Sequence, residues 1–333
     1  MSARSKKRSA EWQHPIPISL LKQHKYEKHL TDIIDAESTT LLACLQKENP
    51  KVFSKEDIAT PIEAIASALN IEVTSGHYPS SFLASVKQIG SKYHVAQNTS
   101  KPSYFRQRFS LAHEIGHLIL SRAAGPLNFE ELSKTNGTSH EEEAICDLFA
   151  SALLMPKLAV EPYLKNATSV TSSLINNIAK DFRVSRSAAL RRVAWLTNSI
   201  LLLWDEIANP LRKGSPKAER ITQVYPRLSQ LSNYYIPLYC TPSDLRFTPN
   251  IILESFTKGI STYGIVEIKD MGSLPDRPYR IHNVFFQRWS ENLISDGIVE
   301  RPTQFFNMAT FIEVNEVMQE EKLQVPYQMT LFD

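Results

Sequence analysis

The most constraining feature of this chain is a pair of histidines in the run His113-Glu114-Ile115-Gly116-His117. The surrounding residues, from Phe109 to Leu120, are apolar on one face and predict a helix. Residues four apart lie on the same side of a helix, so both imidazoles can reach a single metal ion. Glu114 is rotated by about 100° from His113, which places its carboxylate near the ion without making it a ligand. The chain is therefore expected to build a helical core around one metal site.

A second predicted helix, Glu141–Met155, supplies candidates for a third ligand. Catalytic zinc sites usually take three protein ligands and keep one position open. Glu143 and Asp147 flank the apolar stripe of this helix one turn apart, so we expect Glu143 to bind the metal and Asp147 to accept a hydrogen bond from a ligand imidazole. Glu141 and Glu142 are competing ligands, although they lie in the fraying first turn, where acids are common for electrostatic reasons alone.

Two segments together resemble one known family. The first, Arg106-Gln-Arg-Phe-Ser-Leu-Ala-His-Glu-Ile-Gly-His117, is similar to an RFTLAHELGH-like helix, and the second, from Glu143 to Pro156, is similar to an ExxAN-x-FA-xx-LLMP-like helix. In this order they are typical of the ImmA/IrrE-type (HExxH) zinc metallopeptidases, and the resemblance covers residues 58–198. The departures are Ser110 for Thr, Cys146 for Ala and Asp147 for Asn.

The resemblance implies a zincin-like peptidase domain that holds one zinc ion per chain. It assigns the ligands to His113, His117 and Glu143, and the general base to Glu114. Manganese or iron could occupy the same nitrogen and oxygen ligands. A further donor should stabilise the oxyanion of the reaction, and the sequence leaves three candidates open: His140, Tyr104 and His94.

The fold class that we expect is α+β, in three parts. Residues 1–57 form a basic, disordered start (1–15) and a helical extension, residues 58–198 a mostly helical peptidase domain with a small sheet, and residues 199–333 a separate α/β module of unknown role. The helices predicted besides the two motif helices are Leu20–Leu45, Pro61–Leu69, Leu174–Phe182 and Arg186–Leu196. The predicted strands are Ile71–Thr74, Ser85–Ile89, Tyr93–Gln97, Gly264–Ile268 and Tyr279–His282.

Charge and cysteine usage limit the partners and the compartment. The net charge of +2 gives no global electrostatic footprint for nucleic acid. Three distant cysteines indicate a reducing compartment, and no apolar run approaches the roughly 20 residues that span a bilayer. We expect no secretory signal, since the basic start lacks an apolar segment behind it. We therefore predict a cytoplasmic protein without membrane contact.

Two further patterns suggest additional partners. Residues 174–197 resemble a helix-turn-helix and carry Arg186, Arg191 and Arg192, which predicts a weak DNA contact, although Arg183 stands where such turns usually have glycine. The C-terminal residues 328–333, Gln-Met-Thr-Leu-Phe-Asp, are similar to peptides that dock into bacterial sliding clamps. The alternative for this tail is that it folds back as a last strand.

The substrate that the resemblance implies is a specific protein partner of the class of transcriptional repressors and regulators. The chain would hydrolyse a peptide bond in it. The alternative is a regulatory DNA- or protein-binding factor whose metal site is structural or vestigial. An intact Glu114 favours the peptidase, because a structural site needs no base.

Overall fold

The structure is a computed structural model, and it describes thirteen stretches of the chain. These are residues 14–25, 30–53, 57–79, 81–100, 104–125, 140–167, 169–197, 199–205, 221–224, 260–268, 277–286, 306–313 and 327–328. The described helices are α1 Pro15–Gln23, α2 Leu30–Glu48, α3 Ile62–Ala68, α4 Tyr104–Ala123, α5 His140–Leu154, α6 Lys157–Lys165, α7 Ser172–Asp181 and α8 Arg186–Leu196. A short 3-10 helix, Pro50–Val52, follows α2.

The N-terminal helices differ from the expected single helix Leu20–Leu45. The helix α1 begins at Pro15, inside the stretch that we expected to be disordered, and His14 caps it by accepting the Ile16 N–H. Proline is favoured at the first helical position because its missing N–H would be unpaired there anyway. The helix α1 ends before Lys25, whose φ of +51° is left-handed, and this residue breaks the expected continuous helix into α1 and α2.

A three-stranded sheet precedes the helix that carries the two histidines. Its strands are β1 Ile71–Gly76, β2 Ala84–Ile89 and β3 Lys92–Asn98, so the three strands predicted here are present. The central strand β3 pairs parallel with β1 and antiparallel with β2. Gly90, with φ +62°, provides the tight turn between β2 and β3, a conformation that glycine adopts without steric cost.

The described part of residues 199–333 forms one antiparallel sheet. Its strands are β4 Ser199–Asp205, β5 Ile221–Val224, β6 Thr262–Ile268, β7 Arg277–Phe285, β8 Phe306–Glu313 and β9 Tyr327–Gln328, in the order β5-β4-β8-β7-β6-β9. The C-terminal sheet module and the α+β class are therefore as expected. The helical pieces predicted alongside this sheet fall outside the described residues.

One hydrophobic core joins these parts. Buried side chains from α1, α2, α4, α5 and α8 belong to the same cluster as Phe311 of β8. The helix α2 is fixed to α8 by Arg192, which is 0% exposed and whose Nη2 lies 2.6 Å from Asp35 Oδ1. Its Nε donates to the Met155 carbonyl, so the buried cation keeps its partners. The limits that we expect at residues 57 and 198 stay predictions.

The helices α7 and α8 are joined by the short turn of residues 182–185. Arg183 adopts φ +51°, the left-handed conformation that usually favours glycine at this place, and its Nη2 lies 2.7 Å from Asp57 Oδ2. Arg186 donates to Asn176 and stacks over the Phe286 ring. Arg186 and Arg192 are therefore engaged inside the protein, and the DNA contact through residues 174–197 stays a prediction.

The start of the C-terminal tail pairs with the sheet. Tyr327 and Gln328 lie antiparallel to Tyr263 and Thr262 of β6, as the alternative of a last strand requires at this point. Leu331 and Phe332, the anchors of the sliding-clamp hypothesis, lie outside the described residues. That hypothesis stays a prediction. None of the described helices is long and apolar enough to cross a membrane.

Candidate metal centre

The helix α4 presents two imidazoles on one side. His113 and His117 lie one turn apart, with ring centroids 4.9 Å from each other and ring planes at 70°. The opposite side of the helix is buried through Leu111 and Ile115. This burial fixes the rotation of α4 and thereby the direction in which both histidines point.

Glu143 of α5 lies between the two imidazoles. Its carboxylate oxygens are 3.1 Å from His113 Nε2 and 3.5 Å from His117 Nε2. The three candidate ligand atoms lie within 4.8 Å of one another. Ligands about 2.0–2.1 Å from one tetrahedral ion are separated by about 3.4 Å. Two nitrogens and one oxygen at these separations fit a zinc ion with one position left open.

The other nitrogen of each ring is held by a second acid of α5. His113 Nδ1 lies 2.8 Å from Asp147 Oδ1, and His117 Nδ1 lies 2.9 Å from Glu142 Oε1. An ionised carboxylate only accepts hydrogen bonds, so with zinc bound at Nε2 each ring would carry its proton on Nδ1 and donate it to Asp147 or Glu142. Both Nε2 lone pairs are then directed at the space beside Glu143, where a metal ion needs them.

Glu142 differs from what its place in the first turn of a helix led us to expect. Instead of fraying, it accepts hydrogen bonds from His117 and from His14 of the N-terminal segment. These two hydrogen bonds lower the pKa of Glu142 to about 2. Its carboxylate is therefore ionised and held behind a candidate ligand, a role that could not be predicted from the residues around it.

Glu114 lies on α4 between the histidines and is only 7% exposed. Burial raises the pKa of this carboxyl, although the two imidazoles and a backbone hydrogen bond from Val86 of β2 oppose the shift. The pKa of His113 is also raised: burial lowers it, but the hydrogen bond to Asp147 and the surrounding carboxylates outweigh that effect. Glu114 is thus a buried carboxylate next to the three candidate ligands.

The two motif helices approach closely at Gly116. A β-carbon placed there would lie 3.3 Å from Phe149 Cδ1 and 3.4 Å from the Cys146 backbone. The absence of a side chain lets α4 and α5 pack at this distance. Cys146 itself is buried in the core and takes no part in the candidate ligand set.

Comparison with protein-family models supports the same family resemblance for the segment that contains the two motif helices. Residues 87–194 match the family model described as the IrrE N-terminal-like domain, a peptidase family. This segment is therefore similar to an IrrE N-terminal-like domain. The matched residues include both motif helices and all of the candidate ligands. The resemblance to ImmA/IrrE-type metallopeptidases is thereby confirmed, and this segment is a metallopeptidase-like domain by family similarity, with a candidate metal site.

Comparisons with whole proteins give one weak structural similarity. A Mycobacterium tuberculosis transcriptional regulator of solved structure is similar at 10% sequence identity with a TM-score of 0.46, over 90% of this chain and 80% of that chain. No curated protein matches the sequence.

The three candidate oxyanion donors are placed at different parts of the IrrE-like domain. The imidazole of His94 on β3 is 3.6 Å from Glu72. Tyr104 begins α4 and contacts Phe105 and Arg108; its separation of nine positions from His113 corresponds to about 13 Å along a helix axis. The side chain of His140, the first residue of α5, lies outside the described part of the structure. The oxyanion role of each residue stays a prediction.

Replacement of Asp147 tests the support behind His113. We expect Asp147→Ala to weaken zinc binding by about 10–100-fold, the usual effect of losing the hydrogen-bond partner of a ligand histidine. Asp147→Asn should weaken it less, because its amide oxygen can still accept the Nδ1 proton. Zinc affinity measured by competition with a chelator separates these variants, with Asp32→Ala, on the exposed side of α2, as the control. An effect as severe as that of Glu143→Ala would exchange the roles of the two acids.

Proposed function

We propose that this chain is a zinc-dependent endopeptidase that hydrolyses a peptide bond in a specific protein partner, a transcriptional repressor or regulator. The observation that carries the proposal is the arrangement of four side chains. Two imidazoles and the Glu143 carboxylate converge, while Glu114 lies beside them in the same helix without closing the ligand set. A metal site that served only structure would have no use for that buried acid.

The proposed chemistry divides between the metal and the protein. A zinc ion held by His113, His117 and Glu143 would supply Lewis acidity toward the substrate carbonyl and toward water. Glu114 removes a proton from the attacking water and delivers it to the amine that leaves when the peptide C–N bond breaks. Burial of Glu114 favours this exchange, since a carboxyl with a raised pKa both accepts and releases a proton more readily near neutral pH.

The substrate class rests on the family resemblance and on the peptidase domain. We infer that the partner is a folded cytoplasmic protein cut at one or a few positions. The compartment is supported by the two cysteines that are free among the described residues, Cys44 and Cys146. Exposed Cys44 would be prone to oxidation outside a reducing environment.

The experiment is co-expression of the chain with candidate regulator proteins, followed by mass spectrometry of the regulators. The proposal expects one regulator to yield two defined fragments with the wild-type chain and none with Glu114→Gln. If no regulator is cut and Glu114→Gln produces the wild-type biological effect, the chain acts instead as a regulatory DNA- or protein-binding factor with a structural metal.

A further inference from the structure

The N-terminal segment reaches the candidate metal centre from outside the IrrE-like match. We define this segment as His14 together with α1. His14 is 2% exposed and lies at the N-terminal turn of α5, more than 120 residues away in sequence. Its backbone N–H donates to Glu141 Oε2 at 2.7 Å, and its Nε2 lies 3.3 Å from Glu142 Oε2. Two acids of the first turn of α5 are thus bound by one residue of the segment.

The helix cap at His14 determines which of its ring nitrogens can donate. His14 Nδ1 accepts the Ile16 backbone N–H at 3.4 Å, so in the neutral ring the proton is carried by Nε2. That proton faces Glu142. His14 therefore caps α1 through Nδ1 and donates to the Glu142 carboxylate through Nε2.

Glu142 connects His14 to a candidate metal ligand. One of its oxygens accepts from His14 Nε2, and the other accepts from His117 Nδ1 at 2.9 Å. The carboxylate is consequently fixed from both sides, in the orientation that presents His117 Nε2 toward Glu143. Without His14, the Glu142 side chain loses one of the partners that orient it, and the His117 ring is bound by a less strictly positioned acid.

The rest of the segment is bound to the end of the HExxH helix. Ser19 Oγ donates to the Ala124 carbonyl at 2.6 Å, and Gln23 Nε2 donates to the Ala123 carbonyl at 2.9 Å. These bonds satisfy carbonyls that the end of α4 leaves unpaired. Ile16, Leu20 and Leu21 are buried in the core. The segment therefore bridges α4 and α5, the two helices that carry the candidate ligands.

We propose that His14 is a positioning residue for the metal ligand His117, acting through Glu142, and that docking of the N-terminal segment and zinc binding are coupled. This inference rests on the metal site of the proposed function. Coupling between two binding events is reciprocal: zinc binding stabilises the docked segment to the same extent that the docked segment raises zinc affinity.

Two substitutions of His14 separate its two nitrogens. In His14→Asn the short side chain can still cap α1 but cannot reach Glu142. In His14→Gln the terminal amide can donate to Glu142 from about the position of Nε2, whereas the cap is lost. His24→Asn is the matched control, because it makes the same chemical change at the other end of α1.

The measurements are zinc affinity by chelator competition, the melting temperature of the metal-free protein, and hydrogen exchange of the α1 amides with and without zinc. We expect His14→Asn to bind zinc about tenfold more weakly, with the melting temperature of the metal-free protein little changed, and His14→Gln to recover most of the affinity. Zinc should slow exchange in α1 of the wild type and slow it less in His14→Asn. His24→Asn should match the wild type in all three.

Several results would overturn the inference. Wild-type zinc affinity in His14→Asn would show that Glu142 needs no support from the segment. Equal loss in both His14 variants, together with an equally lowered melting temperature, would reduce His14 to a helix cap. A wild-type chain that binds no zinc would instead refute the metal site of the proposed function, and the inference with it, so the two failures are distinguishable.

Discussion

Replacement of His117 by alanine is expected to remove zinc from the purified protein. The wild-type chain should contain about one zinc ion, since three convergent nitrogen and oxygen ligands suit that metal. His117→Ala leaves two ligands, His113 and Glu143, and also removes one of the two imidazole partners of the ionised Glu142. Two protein ligands rarely retain zinc through purification, so the content should fall from about one ion per chain to almost none.

Metal analysis of the two proteins by mass spectrometry checks this result. Manganese and iron should be measured in the same samples, because they could occupy the same ligands. His24→Ala is the control, since it removes the imidazole that follows the C-terminal end of α1 and has no described contact with the candidate centre. Full retention of metal in His117→Ala would refute the assignment of this residue as a ligand.

Glu114→Gln should separate metal binding from catalysis. The glutamine has the same shape, and its amide oxygen can still accept the backbone hydrogen bond from Val86, so the zinc content should equal that of the wild type. It cannot take a proton from water. We therefore expect the rate of partner cleavage to fall by about 10²–10⁴-fold, the range that a general base contributes.

The measurement is the cleavage rate of the regulator found by co-expression, with metal content determined on the same preparation. Glu161→Gln serves as the control, because Glu161 forms an ion pair with Lys165 on the surface of α6 and lies outside the candidate centre. Wild-type cleavage by Glu114→Gln would refute the general-base role. Loss of zinc from this variant would show that Glu114 is itself a ligand.

The elements nearest the motif could be predicted from the sequence. The predicted helices Phe109–Leu120 and Glu141–Met155 correspond to α4 and α5, which extend only a few residues beyond them at some ends. Both helices are predicted by local sequence features: apolar residues at helical spacing, and Pro156, which ends the second helix. The proximity of Glu143 to both histidines could also be expected. The i, i+4 spacing places both imidazoles on one side of α4, so a third ligand must come from a helix that packs on that side.

The contacts between distant segments could not be predicted in this way. Nothing in the residues around His14 indicates that it meets Glu142, because the packing of α1 across two helices brings them together. Without α1, acids in a first helical turn are solvated and mobile, which is why Glu142 was expected to be a weaker participant than Glu143. The helix α6 also escaped prediction, since Pro162 within it is a residue that normally argues against a helix.

Gly116 bears no functional group, yet it affects how closely α4 and α5 approach each other at the candidate centre. A methyl group there would lie 3.3 Å from Phe149 Cδ1 and 3.4 Å from the Cys146 backbone, and a larger side chain would require Phe149 or α5 to shift. Protein ligands hold a metal only within about 0.2 Å of their ideal distances, so a comparable displacement of Glu143 matters. A related sequence that kept every donor atom and every charge, but carried a larger residue at this position, would bind metal poorly. From its ligand residues alone, such a protein would be wrongly predicted to be an active peptidase.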